Sequence, residues 1–148
     1  MEQRIKDRFH DDILQQAMRR YSVAPERIRP LDAFESYIYA FERADGEYVL
    51  RISHSLRRSE ALIRGEVDWI NHLAAGGVSV ARAIHSERGK LVEAVEDGQG
   101  GVFLATAFVK AEGQRPWEAG WTPSRYESLG QLLGSMHALA AKIGRAHV

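Results

Sequence analysis

Apolar residues recur along the chain with two different periods, and the change of period marks out the elements. Ile5, Phe9, Ile13, Ala17 and Tyr21 stand four residues apart, a spacing that lines up one face of a helix. Pro25 and Pro30 then interrupt the pattern. Two aromatic and apolar runs follow, Tyr37-Ile38-Tyr39-Ala40-Phe41 and Glu47-Tyr48-Val49-Leu50-Arg51-Ile52, with Arg43-Ala44-Asp45-Gly46 between them. Asp-Gly flanked by such runs predicts a β-hairpin, because glycine tolerates positive φ.

Residues 55–74 read as a second helix, ended by Gly76-Gly77. Short strands are predicted over 80–85, 91–95 and 102–108, separated by turn-like Glu87-Arg88-Gly89 and by the stretch 96–101. The acidic run 93–97 reads as a solvated turn. A loop rich in Gly, Pro and Trp covers 111–123. A last helix is predicted from Ser124, where Ser124-Arg125-Tyr126-Glu127 fits a capping box. Tyr126, Leu129, Leu133, Met136, Ala140 and Ile143 form its apolar stripe. Strands joined by hairpins with one helix inserted imply an α+β fold, an antiparallel sheet backed by a helix.

Composition narrows the class without naming the chemistry. The chain has 148 residues, 45% of them hydrophobic, the size of one domain with a core of its own. Lys+Arg and Asp+Glu both number 20. This balance, with no basic stripe, argues against nucleic acid as a partner. There are no cysteines, and the six histidines show no metal-binding spacing. The charged start at residues 1–10 and the lack of a long apolar run give no signal peptide and no membrane span, so a soluble, cytoplasmic protein is expected.

Glu66 is the most informative residue. It lies between Leu62 and Ile70, each four residues away, on a stripe that Leu73 extends. A carboxylate on an apolar face is costly unless paired. The preceding strand offers Arg51, which alternation places on one face with Val49, while Tyr48, Leu50 and Ile52 take the other. A cation on a strand, oriented by a carboxylate on the next helix, is how kinases hold nucleotide phosphates. An ordinary structural ion pair is the competing reading. Ser36, in Phe34-Glu35-Ser36 before the hairpin, offers a hydroxyl and an N–H to phosphate or is a plain turn serine. The stretch 104–110 is either an ordinary buried strand or an edge whose main chain reads an adenine. His137 reads as a structural helix histidine, and Trp117 and Trp121 as anchors of their loop or as contacts for a neighbour or ligand.

Taken in order, Ser36-Tyr37-Ile38-Tyr39, Tyr48-Val49-Leu50-Arg51-Ile52, Glu66-Val67-Asp68-Trp69-Ile70-Asn71-His72-Leu73, Gly77-Val78-Ser79-Val80-Ala81, the stretch 104–113 and Leu129-Gly130-Gln131-Leu132-Leu133-Gly134-Ser135-Met136-His137 resemble the aminoglycoside phosphotransferase and choline kinase-like family. The resemblance runs from about Ile28 to Leu139. It implies a protein-kinase-like N-lobe with about five antiparallel strands and an inserted helix over residues 1–110. Residues 111–148 would be the loop after the hinge and the start of a second lobe. It further implies that Arg51 binds phosphate, Glu66 orients it, Ser36 lies in the phosphate-covering turn, and Ala107, Phe108 and Val109 form the adenine hinge.

The family uses ATP or GTP with Mg2+ and a small-molecule acceptor. Its His-Gly-Asp motif with a following asparagine, and its later metal-binding aspartate, do not occur in this sequence, and the ending 144–148 departs from the family. The resemblance therefore implies a truncated, nucleotide-binding portion of a phosphotransferase, without catalytic residues or metal ligands and inactive alone. A non-catalytic binding or interaction module on the same lobe is the alternative. Exposure of Leu129, Leu133, Met136 and Trp121 would lead to self-association.

Overall fold

The computed structural model describes residues 2–31, 34–113 and 116–143, and of 116 and 117 the backbone alone. The expectations placed on Trp117 and on residues 144–148 fall outside the described residues. Two short helices open the chain, α1 (Gln3–Lys6) and α2 (Asp11–Arg20), followed by a 3₁₀ turn (Pro25–Arg27). Then come β1 (Ile28–Leu31), β2 (Tyr37–Arg43), β3 (Gly46–His54), α3 (Glu60–Ala75), β4 (Ala83–Ile84), β5 (Glu93–Glu96), β6 (Val102–Val109), α4 (Pro116–Ala119) and α5 (Pro123–Ile143).

The sheet has six strands, all antiparallel, in the order β1-β2-β3-β6-β4, with β5 also paired to β6. That is one strand more than the sequence predicted. The addition is β1, masked by Pro30. A proline donates no ladder bond, and β1 lies at the edge, where the loss is tolerated. The hairpin expected at Asp45-Gly46 joins β2 to β3, and Gly46 has φ +151°.

Helices cover both faces of the sheet. Below it, Ile5, Ile13, Ala17, Met18 and Tyr21 of the N-terminal segment pack on Tyr48, Leu50, Ile52, Phe103, Ala105 and Ala107. The Tyr21 hydroxyl donates to the Ala105 carbonyl at 3.0 Å, so the buried phenol is satisfied. The apolar spacing there holds, but the single helix expected is broken at residues 7–10. The break lets Arg8 reach Asp97 and Phe9 stack on Tyr37 with centroids 3.7 Å apart. Above the sheet, Ile63 and Val67 of α3 pack with Ala83, Val92 and Leu104.

Helix α3 starts at Glu60, five residues later than the sequence spacing suggested. Ser59 caps it, its hydroxyl accepting the Leu62 N–H at 3.3 Å. At its other end Gly77, at φ +86°, turns the chain so that the Val78 N–H closes on the Leu73 carbonyl. The strand expected over 80–85 contracts to Ala83–Ile84. The Asn71 side chain bonds both the N–H (2.8 Å) and the carbonyl (3.1 Å) of Ala83, standing in for a neighbouring strand. The predicted capping box of the last helix also shifts. Thr122, not Ser124, caps α5, with Pro123 in the first helical position.

The acidic run 93–97 is not a solvated turn. Glu93 and Asp97 are buried. Arg88 and the Ser86 hydroxyl bond Glu93. Asp97 Oδ2 accepts from Arg8 Nη1 at 2.6 Å and lies 3.0 Å from His54 Nε2, while its Oδ1 accepts the N–H groups of Gln99 (2.7 Å) and Gly101 (2.8 Å). The Leu56 N–H donates to His54 Nδ1, which puts the ring proton on Nε2, facing the carboxylate. This network ties the N-terminal segment to the end of β3 and to the β5–β6 turn.

Candidate functional site

Strand alternation sorts the candidate residues by face. Arg51 stands opposite Ile38 on β2 and Thr106 on β6, and residues directly opposite share a face. Two positions along, Ser53 and Phe108 lie on that same face, and Ser36 joins it through a 2.9 Å contact between its hydroxyl and that of Ser53. Helix α3 covers this face over β6 and β4, leaving Ile38 and Val49 half-buried. The structure therefore brings Ser36, Arg51, Glu66 and Phe108 together on the α3 side of the sheet. It does not bring Ala107 and Val109 with them. Their side chains point to the opposite face, where Ala107 belongs to the lower core and Val109 packs against it.

Arg51 Nη1 donates to Glu66 Oε1 at 2.6 Å. Glu66 is not in the middle of the buried stripe of α3. Ile63, Val67 and Leu73 are the fully buried positions, and Leu62 is exposed. Glu66 sits at the shoulder of the apolar face, half-buried, where its carboxylate reaches Arg51 on the interior strand β3. Its second oxygen, Oε2, accepts from Arg58 Nη1 at 2.6 Å. Burial acts to raise the Glu66 carboxyl, but the Arg51 bond and charge, joined by those of Arg58, outweigh it and hold the group below the usual carboxylate range.

The rest of the Arg51 guanidinium is buried and without a partner. Nε and Nη2 have no hydrogen bond, and neither does the buried hydroxyl of Thr106 on the facing strand. The Phe108 ring centroid lies 5.1 Å from the Arg51 Cζ and helps fix the guanidinium plane. Nε and Nη2 together form one edge of the guanidinium, with two parallel donors suited to an oxyanion. Orphaned donors of this kind are rare in folded proteins and ask for an acceptor.

The main chain at the end of β6 is already engaged. Ala107 pairs with Leu50 and Ile84, Phe108 with Val49 and Ala83. The Val109 N–H donates to the Arg82 carbonyl at 3.0 Å and the Lys110 N–H to that of Glu47 at 3.0 Å. The turn before β2 is tied down by Arg57 Nη2, which donates to Glu35 Oε1 at 2.8 Å. Sequence reading missed Ser53, Thr106, Arg57 and Arg58. Alternation from Arg51 and Phe108 marks the first two, whereas the arginine contacts depend on how the loop after β3 folds back. Of the remaining candidates, Trp121 stacks on Tyr126 with centroids 4.9 Å apart and His137 is exposed on α5. Among the described residues no group of three His, Asp or Glu side chains is placed to hold a metal ion.

Known proteins resemble this chain in sequence and in fold. The model of the phosphotransferase enzyme family matches residues 27–148. An amicoumacin kinase of Bacillus subtilis (strain 168) is 42% identical over 136 residues, which is 91% of this chain and 40% of that protein. A solved amicoumacin kinase, hAmiN in complex with AMP-PNP, Ca2+ and Ami, superposes with a TM-score of 0.88 at 38% identity, over 94% of this chain and 42% of its own. A microcompartment-associated aminopropanol kinase shares the fold at a TM-score of 0.69 and 24% identity, covering 87% of this chain and 40% of its own. The chain thus spans about 40% of the length of these relatives. With its α+β fold matched and most of its sequence aligned, the chain belongs to the phosphotransferase enzyme family.

Proposed function

We propose that this chain binds the nucleotide for an ATP-dependent small-molecule phosphotransferase and that Arg51 is its phosphate-binding residue. The observation that carries this reading is the Arg51 guanidinium, anchored on one nitrogen by Glu66 and left with two buried, unpartnered donors on its adjoining edge. A phosphate oxygen pair satisfies both donors, and the anchored side chain loses little freedom on binding. Ser36 and Ser53 add hydroxyls along the same row. The purine would lie over Val49 and Phe108, near the end of the strand carrying Ala107 and Val109. A main-chain contact to the Val109 N–H there has to compete with the Arg82 carbonyl.

In this reading Mg2+ accompanies the nucleotide and is held by its phosphates and by residues outside this chain. Phosphoryl transfer needs the His-Gly-Asp motif, which the sequence lacks, so the chain by itself binds without transferring. The likeness to amicoumacin kinases makes their acceptor the first to assay with the longer protein. Isothermal titration with ATP and Mg2+ tests the reading. Binding is expected, with GTP as the comparison, and Arg51→Ala is expected to abolish it while the thermal melt stays cooperative. Equal affinity in the unmutated chain and Arg51→Ala overturns it.

A further inference from the structure

The loop between β3 and α3 carries two arginines, and the fold engages them differently. Arg58 joins Arg51 on Glu66, one on each carboxylate oxygen at 2.6 Å, so both cations are committed to one half-buried acid. Arg57 reaches instead to the turn before β2, where its Nη2 donates to Glu35 Oε1 at 2.8 Å. Its Nε and Nη1 have no partner among the described residues, and the residue is exposed. Glu35 is exposed as well, with 59% of its side chain accessible. An ion pair made through one bond at such exposure is weak and gives way readily to a better acceptor. A phosphate is such an acceptor, since it takes charge-assisted bonds from adjoining guanidinium nitrogens. The backbone beneath Arg57 is nevertheless fixed. The N–H groups of Arg57 and Arg58 donate to the His54 carbonyl at 2.9 and 3.3 Å, and that of Leu56 donates to His54 Nδ1 at 3.1 Å.

Position along the sheet says which part of a nucleotide Arg57 meets. Val49, Arg51 and Ser53 follow one another on the α3 side of β3, about 6–7 Å apart at each step of two residues. The purine position over Val49 and Phe108 is at one end of this row, and the contact between the Ser36 and Ser53 hydroxyls is at the other. Arg57 bonds the residue next to Ser36, beyond that end. We propose that Arg57 is a second phosphate-binding residue, which exchanges Glu35 for the terminal phosphate of a nucleoside triphosphate while Arg51 meets a phosphate nearer the purine. This rests on the reading of Arg51 as the phosphate-binding residue. Glu35 is then a resting partner that competes with the nucleotide for the same cation.

The test is calorimetric titration of this chain with ATP and, separately, with AMP, both with Mg2+, for the unmutated protein, Arg57→Ala and Glu35→Gln. Both residues are exposed, so the variants are expected to fold. Arg57→Ala is expected to weaken ATP about tenfold, the size of one charge-assisted bond less the exposed pair given up for it. It should leave AMP, which has no outer phosphates, unchanged. Glu35→Gln is expected to tighten ATP about two- to fivefold, because the competing carboxylate is gone. If the pair served only as a latch on the turn, Glu35→Gln would weaken ATP as Arg57→Ala does. Unchanged or weakened ATP binding in Glu35→Gln therefore overturns the proposal. Unchanged ATP affinity in Arg57→Ala overturns it too, as does an equal loss of ATP and AMP. Failure of the unmutated chain to bind ATP removes the underlying reading and this inference with it. Loss of ATP in Arg51→Ala together with full retention in Arg57→Ala removes the inference alone.

Discussion

Gly101→Ala should destabilise this protein, although it adds only a methyl group at a glycine whose backbone does not need positive φ. The added Cβ would stand 2.7 Å from Asp97 Oδ2, 2.9 Å from His54 Cε1 and 3.1 Å from His54 Nε2. All three atoms belong to the buried His54–Asp97 pair, and neither side chain has room to yield. Asp97 is held by Arg8 and by two backbone N–H groups, and His54 by the Leu56 N–H and a T-shaped contact with the Phe103 ring. Overpacking of this kind costs about 1–3 kcal/mol. The smaller unfolded-state entropy of alanine returns about 0.4–1 kcal/mol. The net expectation is a loss of up to about 2.6 kcal/mol, centred near 1 kcal/mol, and for a chain of this size a fall in Tm of up to roughly 8 °C. Differential scanning calorimetry at neutral pH measures it. In an Asp97→Asn background the penalty should shrink, since the network that resists the methyl is already loosened. A Gly101→Ala protein that melts at or above the unmutated Tm refutes the reasoning.

Gly65→Ala makes the opposite case, because it lies mid-helix in α3 with nothing within 4 Å of the added Cβ. Stability should rise by about 0.5–1 kcal/mol, read as an increase in denaturation midpoint at constant slope. Acidification should destabilise the fold. Burial works to raise the Glu66, Glu93 and Asp97 carboxyls, yet arginine and N–H donors hold all three below their ordinary values. The unfolded chain then binds more protons, so the stabilisation is complete above the unfolded carboxylate range of about pH 4 and disappears as the pH falls through the depressed folded values. Thermal melts from pH 7 to 2 should show a plateau and then a falling Tm. A flat profile contradicts the network. Finally, Trp121, Tyr126, Leu129 and Leu133 are exposed on or next to α5, while Met136 is half-buried. Concentration-dependent association in sedimentation is expected, relieved by Leu129→Glu/Leu133→Glu. A single monomeric species at high concentration contradicts it.

Much of the fold was open to reading because its signals are local. The β2–β3 hairpin follows from Asp45-Gly46 between alternating runs, and the core face of the N-terminal segment from the spacing of Ile5, Ile13, Ala17 and Tyr21. The link between Arg51 and Glu66 followed from a similar argument, since a carboxylate near an apolar helix stripe must find a cation and one strand offered it. Local signals mislead where the environment is set from afar. Glu93 and Asp97 carry the composition of a solvated turn, but Arg8 and Arg88 make their burial tolerable, and Arg8 stands nearly ninety residues earlier in the chain. Pro30 argues against a strand unless that strand lies at an edge, and strand order is decided by pairing partners.

By itself, then, the amino-acid order determined most of the segments that are helix or strand, which residues alternate along a strand, and that Glu66 requires a partner. These depend on side-chain period and on the desolvation of a single charge, both properties of a short window of chain. Only the tertiary structure decided that Ala107 and Val109 face away from Arg51 while Phe108 lies against it. It alone placed Arg58 on the second oxygen of Glu66 and left Nε and Nη2 of Arg51 buried without a partner. A donor's satisfaction depends on every group within about 3.5 Å of it, and those neighbours come from β3, β6, α3 and the loop between them, brought together only when the sheet closes around β6.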